Sequence, residues 1–190
     1  ECWSGDTEIL EYYTAMNCFN FATSQAEGVM ASAARGLTIG KYTNYIASMQ
    51  EAISGKNPDS MLMPFLSNHD MDRIAGSFVT ENNMRMAANL CLLSPGSPVI
   101  YYGEEIGMLG SRGGANTDAN RRLAMLWGDN DPVRNPAGTT YTAAQANGTV
   151  ADQLPDGNSL YNHYKKLIMI RQANPEIAYG SFTALSTGNK

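Results

Sequence analysis

The chain has 190 residues, of which 43% are hydrophobic, and this is enough to build the core of one large domain or two small ones. The composition excludes a disordered chain. Thirteen Lys and Arg against eighteen Asp and Glu give a net charge of -5 with both signs interspersed, which argues against a nucleic-acid partner.

Three simple sequence features exclude further classes of protein. No uninterrupted apolar run approaches the roughly 20 residues that a membrane-crossing helix needs, so we expect no membrane span. Cys2, Cys18 and Cys91 cannot all pair and are not spaced as C-x-x-C, so neither a disulfide framework nor a zinc knuckle is predicted. The sequence opens at Glu1 without the pattern of a targeting segment, and we expect the beginning of the natural chain to lie elsewhere.

The first third of the chain alternates between strand and helix patterns. Residues 16–22 carry closely spaced apolar side chains with two aromatics, which is typical of a strand. Residues 36–53 repeat apolar side chains every three or four positions, which predicts a helix that ends before Pro58. Residues 61–66 are apolar at consecutive positions, as in a strand that is covered on both faces.

The alternation continues through the rest of the chain. Residues 83–93 predict a helix, and residues 98–102 predict a short buried strand that Gly103 stops. Residues 109–151 are rich in Gly and Asn and predict a long surface loop. Capping side chains at 156–159 precede a periodic segment, 160–170, which predicts a helix that closes before Pro175. Strands alternating with helices imply an α/β fold, either an open doubly wound sheet or part of a barrel.

The polar residues after the strand at 61–66 are the first candidates for a functional site. Ligands bind beyond the carboxyl ends of the strands in parallel α/β folds. Asn68, His69 and Asp70, with Arg73 one turn on, offer donors and acceptors for a hydroxyl-rich ligand. The competing interpretation is that Asp70 caps the next helix.

Other catalytic patterns are weaker. Glu104 and Glu105 follow the strand at 98–102 and fit either an acid/base pair or a helix cap on a solvated face. The chain holds two histidines, and His163 falls within the last helical pattern, so a multi-histidine metal centre is poorly supported. No Gly-x-Ser-x-Gly elbow is present, which argues against a serine hydrolase triad.

Several motifs carry a family resemblance. Residues 65–73 read Phe-Leu-Ser-Asn-His-Asp-Met-Asp-Arg, and residues 1–3 read Glu-Cys-Trp. They resemble the seventh-strand Phe-Leu-x-Asn-His-Asp-x-x-Arg and the fifth-strand Glu-x-Trp of the α-amylase superfamily of glycoside hydrolases. Residues 96–108 are similar to the eighth-strand segment of that family. Residues 121–127 are similar to its Arg-x-Pro-Met-x-Trp motif, with Ala124 in place of Pro.

The resemblance implies an architecture. It identifies residues 1–175 as the C-terminal half of a TIM (β/α)8 barrel, with strands five to eight and their helices. Residues 176–190 would be the start of a truncated C-terminal β-domain, whose opening strand is expected at 177–185.

The resemblance also implies a function, the retaining hydrolysis of α-glucans such as starch and maltooligosaccharides. Glu1 would be the general acid/base and Asp70 the carboxylate that stabilises the transition state. The side chains expected to bind the substrate are those of Asn68, His69, Arg73 and Tyr102. We expect no metal and no cofactor in this chain, with calcium only in the complete enzyme. The resemblance favours an extracellular or cell-surface location, since polymer-degrading relatives are usually secreted.

The family's nucleophile lies in a Gly-x-Arg-x-Asp segment that these residues do not contain. We therefore expect the chain to be inactive alone. A half-barrel has open strand edges and an uncovered apolar face, which predicts a homo-oligomer or association with the missing half-barrel. Two alternatives stay open: a non-hydrolytic carbohydrate-binding remnant, and a parent enzyme that is a glucanotransferase or isomerase.

Overall fold

The centre of the fold is a set of parallel strand segments. The computed structural model describes residues 1–3, 5–78, 80–113, 118–128 and 133–185. Three extended segments at 17–20, 60–65 and 97–101 are named β1, β2 and β3. Parallel bridges join Phe19 to Met63 and Phe65 to Val99, so β2 lies between β1 and β3. This arrangement confirms the parallel α/β pattern that the sequence predicted.

One helix precedes the first strand segment, and further helices follow each of the three segments. In chain order they span Asp6–Tyr12 (α1), Val29–Ala34 (α2), Ile39–Lys56 (α3), Glu81–Leu92 (α4), Val150–Gln153 (α5), Leu160–Ala173 (α6) and Glu176–Tyr179 (α7). The structure thus confirms the predicted helices at 36–53, 83–93 and 160–170 within a few residues. The predicted strand at 16–22 is shorter than expected, because a 3-10 turn, Phe21–Thr23, replaces its end.

Two hydrophobic clusters hold the helices to the strand segments. The larger one joins α1, α2 and α3 to β2, with buried side chains that include Ile9, Met30, Ile46, Ile53 and Leu62. The second lies between α4 and α6 and includes Ala88, Leu92, Leu160, Tyr164 and Leu167. Burial of such apolar surface is the main stabilising contribution to the fold.

The Ser159 side chain caps the N-terminus of α6, as the sequence predicted. Its hydroxyl accepts a hydrogen bond from the Asn162 amide at 3.2 Å and donates one to the Gln153 carbonyl at 2.7 Å. Both partners lose a hydrogen bond if the hydroxyl is removed.

Replacing Ser159 by alanine is therefore expected to lower the free energy of unfolding by about 1–2 kcal/mol. Urea unfolding followed by circular dichroism measures this change. Ser48→Ala, at an exposed position inside α3, is the matched control and is expected to change stability by less than about 0.5 kcal/mol. Equal losses in the two variants would contradict the cap.

The structure departs from the sequence predictions in the last segment. Residues 176–179 form the helix α7 where the opening strand of a β-domain was expected, so that part of the strand prediction is wrong. Pro175 precedes α7 with φ -56° and ψ -24°, and its ring fixes a φ that suits a helix start. The domain boundary after residue 175 stays a prediction, and residues 186–190 lie outside the described residues.

The predicted loop at 109–151 is confirmed over the residues that the structure describes. They contain one short 3-10 turn, Ala119–Arg121, before α5 begins at Val150. Residues 114–117 and 129–132 of this loop lie outside the described residues. Within the described parts of the chain, no helix combines the length and the apolar character that crossing a membrane requires.

Candidate active site

Four of the predicted site residues meet beyond the carboxyl end of β2. Glu1, His69 and Asp70 each contribute one side-chain N or O atom to a group whose members all lie within 4.8 Å of one another. Asn68 lies beside them: its Nδ2 donates to Glu1 Oε1 at 3.3 Å, and its Oδ1 accepts from the Asp70 amide at 2.9 Å. We call Glu1, Asn68, His69 and Asp70 the carboxylate cluster.

The carboxylate cluster is open to solvent. Glu1 and His69 are exposed, Asp70 is half-buried and Asn68 is buried. Trp3 is also exposed, and its ring stacks on Phe21 with 4.2 Å between centroids. The cluster therefore offers charged groups and a fixed amide on an accessible surface, with an exposed indole two residues from Glu1, and such groups suit a ligand with many hydroxyl groups.

Two arginines hold Asp70 in place. Arg122 reaches Asp70 Oδ1 with Nη2 at 2.7 Å and donates from Nε to the His69 carbonyl at 3.1 Å. Arg121 donates from Nη1 to the Asp70 carbonyl at 2.7 Å. Asp118 accepts a hydrogen bond from Arg121 at 3.1 Å and forms an ion pair with Arg122 at 3.5 Å, and so orients both side chains. Sequence reasoning quoted both arginines within a motif but missed this role; their adjacency was the available signal.

The helix-cap interpretation of Asp70 is wrong. The next helical turn, Ile74–Ser77, has no side-chain cap. The Asp70 carboxylate instead contacts Arg122 and lies 3.4 Å from His69 Nε2. Its bonds are therefore those of a functional or ion-paired carboxylate.

Arg73 and Tyr102, the other two residues predicted to bind substrate, contact each other. Arg73 is 2% exposed, donates from Nη1 to the Tyr102 carbonyl at 2.6 Å, and has its guanidinium carbon 4.5 Å from the centre of the Tyr102 ring. Tyr102 is 39% exposed and donates from its hydroxyl to the Leu123 carbonyl. Arg73 thus supports the end of β3, and a direct contact of either side chain with substrate stays a prediction.

Glu104 is not on a solvated face, as one sequence interpretation had it, but 5% exposed. Its Oε1 accepts from the Ser67 amide at 3.0 Å and from the Ser67 hydroxyl at 2.5 Å. Burial raises the pKa of this carboxyl to about 8, against the lowering effects of Ser67 and Arg73. Glu104 therefore stays protonated at neutral pH.

Replacing Glu104 by glutamine is expected to flatten the pH dependence of stability between about pH 5 and pH 8. In the unfolded chain this carboxyl ionises near its ordinary pKa of 4.5, whereas in the fold it holds its proton to about pH 8. The folded state binds the extra proton, so the free energy of unfolding falls as pH rises through this window, by up to about 1.4 kcal/mol per pH unit.

Urea unfolding at several pH values between 5 and 8 measures the slope. Glu51→Gln, which neutralises an exposed carboxylate on α3, is the matched control and should keep the parent slope. A parent slope equal to that of the Glu104→Gln variant would contradict the buried protonated carboxyl.

The carboxylate cluster does not fit calcium. It offers an imidazole and two carboxylates, whereas calcium takes six to eight oxygen ligands. Asp70 is moreover paired with Arg122, which a cation would have to displace. Calcium in the complete enzyme stays a prediction, and no chemical step below depends on it.

Acidic side chains and an imidazole beyond the carboxyl ends of parallel strands are the arrangement of an α/β barrel enzyme. The sequence profile described as "Alpha amylase, catalytic domain" matches residues 1–180. The chain belongs to this family, which includes glycosidases of carbohydrate metabolism.

Individual relatives agree with this assignment. The chain is 36% identical over 146 residues to Alpha-amylase SusG of Bacteroides thetaiotaomicron, covering 76% of this chain and 21% of the relative. It is 32% identical over 197 aligned residues to Alpha-amylase 3 of Dictyoglomus thermophilum, covering 100% of this chain and 38% of the relative. Other relatives are named oligo-1,6-glucosidase and cyclomaltodextrin glucanotransferase.

The fold is similar to that of solved structures of the family. Eubacterium rectale Amy13B superimposes with a TM-score of 0.82 at 34% identity, over 93% of this chain and 36% of that one. The chain therefore spans between about a fifth and two fifths of SusG, Alpha-amylase 3 and Amy13B, and 12% of the cyclomaltodextrin glucanotransferase.

Proposed function

We propose that this chain is part of a retaining glycoside hydrolase that acts on α-glucans, and that the carboxylate cluster binds the sugar at the scissile bond. The observation that carries this proposal is the convergence of Glu1 with Asn68, His69 and Asp70 on one accessible surface. The names of the family's relatives support α-glucans as the substrate class.

The proposed architecture is the C-terminal half of the barrel. In this assignment β1, β2 and β3 are strands six, seven and eight, and Glu1 lies at the end of strand five. The parallel bridges in the order β1, β2, β3 support it, since consecutive strands of such a barrel are neighbours.

Each residue of the cluster has a proposed role. Glu1 protonates the leaving oxygen and later takes a proton from the attacking water, as the acid/base of a retaining glycosidase does. Asp70 accepts hydrogen bonds from sugar hydroxyls and stabilises the positive charge that develops on the ring. Asn68 orients Glu1 through the 3.3 Å hydrogen bond, and His69 binds the same sugar unit.

The second carboxylate of the reaction, the nucleophile, is expected from a Gly-x-Arg-x-Asp segment that is not among these residues. Without a nucleophile the covalent intermediate cannot form. We therefore propose that the chain is inert by itself and active when the rest of the barrel is supplied.

A chimera tests this proposal. Our chain replaces the matched segment of the Dictyoglomus thermophilum relative, and the release of reducing sugar from starch is compared with that of the isolated chain. We expect activity from the chimera and none from the isolated chain. A chimera that folds, by circular dichroism and a cooperative thermal transition, yet releases no sugar would contradict the proposal, as would starch hydrolysis by the isolated chain.

We also propose that the isolated chain associates through the free edges of its strand segments. Among the described residues, the bridges of β3 pair it on one side with β2. Unpaired backbone groups at a sheet edge favour pairing with a second copy or with the remainder of a barrel. Light scattering at micromolar concentration should show a dimer or larger species, and a well-folded monomer would contradict this proposal.

Two further functions remain as alternatives. The exposed Trp3, two residues from Glu1, also suits sugar binding without hydrolysis, which a folded chimera would reveal by binding maltotriose in calorimetry without cleaving it on long incubation. A transferase is the other alternative, because some relatives carry that name. Maltooligosaccharides longer than the substrate, formed by the chimera, would identify transfer.

A further inference from the structure

Ser67 connects the carboxylate cluster to a buried acid. It directly precedes Asn68, and both its amide and its hydroxyl donate to Glu104 Oε1. Asn68 in turn contacts Glu1 and the Asp70 amide. The position of the turn at 67–70 therefore depends on an acceptor that belongs to the segment after β3.

We propose that Glu104 is a positioning residue, which fixes the turn at 67–70 against the end of β3 so that Asn68 and Asp70 are held beside Glu1. The proposal rests on the proposed function for its catalytic meaning, and on the geometry alone for the positioning itself. Glu104 does not touch the substrate surface, because it is buried.

The segment that carries Glu104 is itself rigidly held. Glu104 opens a 3-10 turn, Glu104–Ile106, between Gly103 at φ 86° and Gly107 at φ 68°. A Cβ atom at Gly103 would lie 2.4 Å from Met108 Sδ and 3.0 Å from Arg73 Nη1. The Glu104 amide donates to the Tyr101 carbonyl at 3.1 Å and its carbonyl accepts from the Gly107 amide at 3.0 Å, so the backbone that carries the carboxyl is hydrogen-bonded on both sides.

Burial is the main cause that raises the pKa of the Glu104 carboxyl and so favours its neutral form, and the charge of Glu105 acts in the same direction. Cys91 of α4 and Tyr164 of α6 face it, and Glu105 is its acidic neighbour in the same turn. Arg73 is the one basic group among the causes acting on its charge. A neutral carboxyl accepts the two Ser67 bonds through its carbonyl oxygen, and the amide oxygen of a glutamine accepts them equally well.

Two variants can therefore separate the role of the hydrogen-bond acceptor from the role of the titrating proton. Glu104→Ala removes the acceptor, whereas Glu104→Gln keeps it and removes the titration. NMR spectra of the chain without sugar report the amides of Ser67 and Asp70 and the side-chain amide of Asn68. Calorimetry with maltotriose then reports binding by the same samples.

Glu104→Ala is expected to shift the Ser67, Asn68 and Asp70 resonances and to weaken maltotriose binding at least tenfold. Glu104→Gln should restore the parent positions and bind within about threefold of the parent. In the parent, the Ser67 amide should titrate with a midpoint near pH 8, and this titration should be absent in Glu104→Gln. A role confined to overall stability would leave the Asn68 and Asp70 resonances at their parent positions in a folded Glu104→Ala sample.

Ser67→Ala removes the hydroxyl end of the same contact and serves as a second variant if Glu104→Ala does not fold. It should shift the Asn68 and Asp70 resonances in the same direction. If either alanine variant leaves Asn68 and Asp70 where they are in the parent, or if glutamine behaves as alanine does, the positioning role is wrong. If the parent binds no maltotriose while these shifts occur, the sugar function fails and the positioning role stands.

Discussion

Replacing Asp70 by asparagine in the chimera is expected to lower kcat by at least about 10²- to 10³-fold. Asparagine keeps the shape and removes the negative charge that stabilises the developing positive charge on the sugar ring. Because this interaction is made mainly in the transition state, the loss should be larger in kcat than in KM. Initial rates on a defined maltooligosaccharide separate the two constants.

Asp59→Asn is the matched control for this prediction. Asp59 is an exposed carboxylate just before β2, at the opposite end of that segment from Asp70. The same chemical change there should leave kcat within about twofold. Comparable losses in the two variants, or an Asp70→Asn variant that retains most of the activity, would remove Asp70 from the mechanism.

Replacing Gly96 by alanine is expected to cost about 3 kcal/mol or more of the free energy of unfolding. Gly96 has φ +97°, and a Cβ there would lie 2.0 Å from the Leu62 carbonyl oxygen of β2. The left-handed backbone costs of order 1–3 kcal/mol for alanine, and the backbone overlap adds about as much. The thermal midpoint should fall by about 6 to 12 °C for a chain of this size.

Gly55→Ala serves as the control for the glycine substitution. Gly55 lies in the last turn of α3 with nothing within 4 Å of an added Cβ, and it should be neutral or stabilised by up to about 1 kcal/mol. Calorimetric scans of the two variants give the comparison. A Gly96→Ala midpoint within 2 °C of the parent would contradict the close approach of β2 and β3.

The predictable parts of the fold are those with a long repeating pattern. The helices α3, α4 and α6 have 12 to 18 residues, so their apolar faces repeat several times in the sequence. The helices α1 and α2 have seven and six residues, too few for a period to stand out. The helix α7 was missed because a strand was expected there by resemblance, while Pro175 favours a helical turn.

The candidate site likewise has residues that the sequence predicts and contacts that it does not. Asn68, His69 and Asp70 were predictable because they are adjacent and follow a buried strand. Arg122, by contrast, contacts Asp70 across 52 positions of sequence, and no local spacing indicates that pairing. The burial of Glu104 likewise depends on how α4 and α6 pack near it, which a pair of glutamates in a sequence does not reveal.

The central claim is that Glu1, Asn68, His69 and Asp70 form one sugar-binding surface. The most direct test is an NMR titration of the isolated chain with maltotriose, followed at every backbone amide and at the Asn68 side chain. We predict saturable shifts centred on residues 68–70 and on Trp3, with small shifts at α3 and α6. Shifts centred elsewhere, or none at millimolar sugar in a folded sample, would contradict the account.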